Sequence, residues 1–79
     1  MMTSESLEAW IVQRLSKALG IKEAAIDPAT PFVRLGIDSM VLIGFAAELE
    51  KYLERELDPQ VLFDHSSPRS LARHLSKGT

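Results

Sequence analysis

The sequence predicts an all-α fold: a small four-helix bundle with a long loop after helix 1 and a short third helix. Three observations predict it. Apolar residues recur at helical spacing in two segments, Leu7, Ile11, Leu15 and Leu19, then Leu42, Phe45, Ala46, Leu49 and Leu53. Two pairs, Asp58-Pro59 and Ser67-Pro68, each set a capping side chain before a proline suited to the first helical position. No segment carries a strand signal.

The elements follow in order. "SESLEAWIVQRLSKALG" predicts a helix over 5–19, with Ser4 as N-cap, Glu5 and Glu8 near the positive end of the dipole, and Trp10 and Ala18 beside the apolar stripe. Gly20 supplies the stop. "IKEAAIDPATPFVRLGID" holds two prolines and a glycine that break any period. Its apolar residues Ile26, Phe32, Val33, Leu35 and Ile37 suggest a loop pinned across the bundle. The second helix starts at Asp38 or Ser39 and runs to Leu53, with Met40, Val41 and Gly44 off the inward stripe. A helical turn over 59–63 follows, then a last helix capped by Ser67 that buries Leu71, Ala72 and Leu75.

At 79 residues the chain makes one domain, 1–79. A domain this short buries only about 60% of its unfolded surface, which leaves little room for a core and an enclosed active site. There is no cysteine, so disulfides, thiolate metal sites and cysteine nucleophiles are excluded. A formal net charge of −2 with mixed signs argues against nucleic acid as a partner. No apolar run approaches the roughly 20 residues that span a bilayer, and "MMTSESLEAW" does not resemble a signal peptide. A monomer in the cytoplasm is the expectation.

Candidate chemistry is sparse. Ser39, His65 and His74 allow a Ser-His-Asp set on paper, but a nucleophile elbow needs glycines two positions either side of the serine, where this chain has Ile37 and Val41. Both histidines read as solvated surface groups. Asp64 and His65 lack further ligands at a metal-site spacing. "ELEKYLEREL" mixes opposite-charge and like-charge neighbours that roughly cancel, as on a solvated helix face. Ser39 is different. It is either a helix cap, a role Asp38 could equally fill, or a point of attachment. Met40 and Val41 beside it are apolar, which suggests a docking surface around a hydroxyl that a partner acts upon.

These residues resemble a known family. "LGIDSM" is similar to the modification motif of acyl carrier proteins, and "LFDHSSPRSLARHL" to the ending of carrier domains in modular polyketide synthases. The resemblance spans nearly the whole chain. It implies a non-catalytic carrier whose Ser39 receives 4′-phosphopantetheine from coenzyme A, with Asp38 as cap and recognition element. The modifying enzyme is then a phosphopantetheinyl transferase that supplies Mg²⁺, and the carrier itself has no metal site.

The arm would hold acyl or polyketide intermediates as thioesters for a ketosynthase, an acyltransferase or an acyl-adenylate ligase. Peptidyl carriers usually show "GG" before the modified pair, where this chain has Ile37 in place of the second glycine. Fatty-acid carriers usually carry acids soon after the serine, where this chain has none between Asp38 and Glu48. The polyketide-type pattern fits better. Met40, Val41, Val61 and Leu62 are the expected partner face, with packing between helices as the alternative for Val61 and Leu62. A peptidyl or ligase-loaded carrier is the alternative within the family. A helical interaction module without a prosthetic group, with Ser39 only a cap, is the alternative outside it.

Overall fold

A computed structural model describes residues 3–76. They form α1 (Ser4–Leu19), α2 (Ser39–Leu53), α3 (Gln60–Asp64) and α4 (Pro68–Leu75), with no strand among them. The fold is the expected helical bundle with a long first loop and a short third helix.

Helix α1 starts one residue earlier than expected, and its cap is Thr3 rather than Ser4. Thr3 Oγ1 accepts from the Ser6 N–H at 3.0 Å, and Ser6 Oγ accepts from the Thr3 N–H at 3.1 Å. This reciprocal capping box needs partners three residues apart, which Thr3 and Ser6 are. Leu7, Ile11 and Leu15 are buried, and Val12 widens the stripe. Leu19 is half-buried and Ala18 exposed. Gly20 closes the helix at φ +68°, a left-handed conformation that L side chains resist.

The loop from 20 to 38 is pinned, as expected. It contains two 3₁₀ turns, Glu23–Ala25 and Phe32–Leu35. Ile26, Phe32 and Ile37 enter the core. The Phe32 N–H donates to the Ser66 carbonyl at 2.7 Å, and the Arg69 N–H donates to the Pro28 carbonyl at 2.9 Å. Val33 departs from expectation and is 77% exposed. In a 3₁₀ turn successive side chains point about 120° apart, so a turn that aims Phe32 inward aims Val33 out.

Helix α2 buries Leu42, Phe45, Ala46 and Leu49, with Leu53 half-buried. Its C-terminal segment is not the simple solvated face the sequence suggested. Glu50 Oε2 accepts the Leu57 N–H at 2.7 Å across the turn that ends the helix. Glu48 lies 3.5 Å from Arg14 of α1. Tyr52 stacks on Trp10 at 4.1 Å, and the Arg14 guanidinium sits 5.4 Å from the Trp10 ring. The charged pair is about half exposed, so it contributes less than about 1 kcal/mol. The ring stack ties α1 to α2 more firmly.

Helix α3 begins at Gln60, one residue late, because the Asp58 carboxylate accepts the Gln60 N–H at 2.9 Å. Ser67 caps α4 as expected, accepting the Ser70 N–H at 3.2 Å. Helix α4 packs chiefly on α1 through Leu71, Ala72 and Leu75, with Arg69 3.1 Å from Glu8. The two histidines are half-buried rather than solvated. Their rings stack at 4.0 Å, since α4 brings His74 back over the 64–67 link. No polar or charged residue among the described residues is buried as a whole, although Arg14 Nε is shielded from solvent without a hydrogen-bond partner, with the Glu48 carboxylate 3.5 Å away.

Candidate functional site

The site is built where the pinned loop hands over to α2. Gly36 ends the Phe32–Leu35 turn at φ +87°, a value that favours glycine, and its N–H bonds back to Phe32 and Val33. The Ile37 N–H donates to the Phe32 carbonyl at 3.1 Å, and the Ile37 side chain is buried. The two residues anchor the chain just before Asp38.

Asp38 is the helix cap. Its backbone is extended, and its Oδ1 accepts the Val41 N–H at 2.9 Å. Ser39 is the first helical residue and is exposed, and its hydroxyl makes no hydrogen bond among the described residues. Of the two residues that could cap α2, the aspartate does so and the serine hydroxyl is left unengaged. The start of α2 also presents backbone N–H groups with no partner inside the helix, an environment that favours an oxyanion.

A groove of about 380 Å³ opens beside Ser39. Its apolar walls are Phe32, Val33, Ile37, Leu42 and Phe63, with Asp38 and Ser66 at the rim. Around it stand exposed apolar side chains: Met40 at 81%, Ile43 at 55% and Phe63 at 48%. Ile43 and Phe63 were not anticipated. Ile43 follows from Met40 by the three-residue spacing of one helix face, whereas Phe63 depends on how α3 is oriented.

Val41 is exposed and Val61 half-buried. Leu62 is 1% exposed and belongs to the core, so its side chain is not at the surface where a partner could touch it. A five-residue helix turns one side inward, and that side is Leu62, while Phe63 faces out. Neither histidine lines the groove, and no group of three His, Cys, Asp or Glu residues able to hold a metal occurs among the described residues.

Comparison with known proteins agrees with this arrangement. A family model described as "Phosphopantetheine attachment site" matches residues 9–75. The acyl carrier protein TtuC of Teredinibacter turnerae is 35% identical over 51 residues, 65% of this chain and 59% of that protein. The polyketide synthase PksR of Bacillus subtilis is 32% identical over 74 residues, 94% of this chain but 3% of the synthase. The chain thus spans under two thirds of either relative. A free-standing peptidyl carrier protein from an Acinetobacter baumannii secondary metabolic pathway superimposes with a TM-score of 0.89 at 28% identity, covering 95% of this chain and 94% of that one.

Proposed function

The chain belongs to the phosphopantetheine-attachment-site family of carrier domains, and on that premise we propose that Ser39 is the residue that bears the arm. The observation that carries this reading is the exposed Ser39 hydroxyl, unengaged because Asp38 does the capping. In the attachment step Ser39 Oγ bonds to the β-phosphorus of coenzyme A and the pyrophosphate P–O bond breaks. Adenosine 3′,5′-bisphosphate leaves, and the hydroxyl proton passes to a base of the transferase. Such a step relies on positioning and on Mg²⁺ held by the transferase, so the carrier contributes exposure and orientation rather than a base. The N–H groups at the start of α2 suit the resulting phosphodiester anion. The attached group supplies a thiol, which this cysteine-free chain lacks, for thioester linkage of acyl chains.

The cargo we assign is an acyl or polyketide intermediate, supported by similarity to TtuC and PksR. The similarity to a peptidyl carrier favours an aminoacyl cargo as the second reading. The partners are a phosphopantetheinyl transferase and synthase enzymes such as a ketosynthase, an acyltransferase or an acyl-adenylate ligase, acting in the cytoplasm on residues 1–79 as one carrier domain. Among the described residues no helix is long and apolar enough to cross a membrane. Met40 and Val41, extended by Ile43 and Phe63, form the face these partners meet.

Intact mass spectrometry after incubation with coenzyme A, Mg²⁺ and a broad-specificity transferase tests the assignment. One phosphopantetheine is gained by the wild type and none by Ser39→Ala. Modification of the variant would refute Ser39 as the site. A folded wild type that gains nothing would refute the carrier reading and leave a helical interaction module.

A further inference from the structure

A second concavity, of about 350 Å³, shares no lining residue with the Ser39 groove. Its polar lining is Arg69, Arg73, His65, His74, Ser67 and Ser70. Among the described residues no carboxylate lines it, although acids outnumber bases in the chain by 11 to 9. The nearby acids are already engaged. Glu8 pairs with Arg69 at 3.1 Å, Asp64 accepts from Gln60, and Asp27 accepts the Ala29 N–H at 2.9 Å. Arg73 has no ion-pair partner among the described residues.

The donor inventory points to one ligand chemistry. The Arg73 guanidinium offers only donors, Arg69 keeps its terminal N–H groups while its Nε donates to Glu8, and each imidazole carries at least one N–H. Ser67 Oγ accepts the Ser70 N–H, which leaves its own O–H free to donate into the concavity. Ser70 Oγ lies 3.2 Å from His65 Nδ1, so that ring is held in place. A metal ion does not fit. The stacked rings lie within 15° of parallel, and lone pairs in two parallel planes cannot converge on one ion.

We propose that this concavity is a binding site for a phosphate-type oxyanion, with Arg73 and His74 on α4 as its principal donors. Guanidinium and imidazole groups around a small depression suit several phosphate oxygens at once. The site is separate from the attachment of any group at Ser39.

The test is an NMR titration of the 79-residue chain with sodium phosphate, compared with sodium chloride at equal ionic strength. Phosphate should shift the His65 and His74 ring signals and the 67–70 amides along a saturating curve, with chloride giving no saturation. Arg73→Ser, an exposed change that spares the core, should weaken phosphate binding roughly fivefold, the limit for one solvent-exposed ion pair. Lys51→Ser, an equal loss of charge at an exposed residue of α2 that lines a different concavity with Trp10 and Tyr52, should leave the affinity unchanged. Shifts that chloride reproduces, or equal weakening by both variants, would overturn the site in favour of a general charge effect.

Discussion

At the scale of single residues, the division of labour between Asp38 and Ser39 organises the site. Neighbours at a helix start compete for one role, because one side-chain oxygen can satisfy the N–H two or three residues on. Asp38 takes it through Val41, so the serine is spared. Asp38→Ala is therefore expected to lower stability by about 1 kcal/mol, whereas Ser39→Ala should change it by less than about 0.5 kcal/mol. Urea denaturation of both variants checks this. Equal losses would mean that the serine shares the cap. The sequence marked both residues as possible caps but could not choose, because the choice depends on the extended backbone of Asp38, held in place by Gly36 and the buried Ile37.

At the scale of elements, each helix is legible to the extent that its pattern is long. The stripes of α1 and α2 span four and more turns, and apart from Val12 their buried residues are readable from spacing alone. The five-residue α3 gives too few positions for a period to define a face. That is why the sequence leaves Leu62 between a partner face and packing between helices, and does not single out Phe63. Leu62→Ala should cost about 2–5 kcal/mol by opening a cavity in the core. Met40→Ser should cost less than about 0.5 kcal/mol, since Met40 is 81% exposed. Thermal or chemical melts of the two variants check the contrast, and a near-neutral Leu62→Ala would return Leu62 to the docking face. The Trp10–Tyr52 stack and the Glu50–Leu57 bond were hidden for a related reason: each joins residues whose proximity no local period announces.

At the scale of the whole molecule, the charges and the apolar surface are segregated. The face around Ser39 carries Met40, Ile43, Val33 and Phe63, with no acid between Asp38 and Glu48 in the chain, while the basic concavity shares no lining residue with the groove there. Docking at the Ser39 face should then depend weakly on salt, because screening acts on exposed charges and not on apolar burial. The KM of a phosphopantetheinyl transferase for the carrier is expected to change by less than roughly twofold between about 0.05 and about 0.5 M NaCl. The same measurement on Met40→Ser should raise KM with little change in kcat. A steep salt dependence would instead assign recognition to charged side chains outside this face.

Local chemistry in the sequence determined the helix count, the ends of the helices to within a residue, the Asp-Ser pair at the start of α2 and, through resemblance, the family. These follow from caps, prolines and periodic apolar residues, whose effects act within a few positions of the chain. Only the tertiary structure decided that Ser39 is left unengaged, that Leu62 is core and Phe63 surface, and that His65 meets His74 beside two arginines. Each of those outcomes depends on how the loop and α3 are oriented by long-range bonds such as Phe32 to Ser66 and Arg69 to Pro28, which join segments some 34 to 41 residues apart.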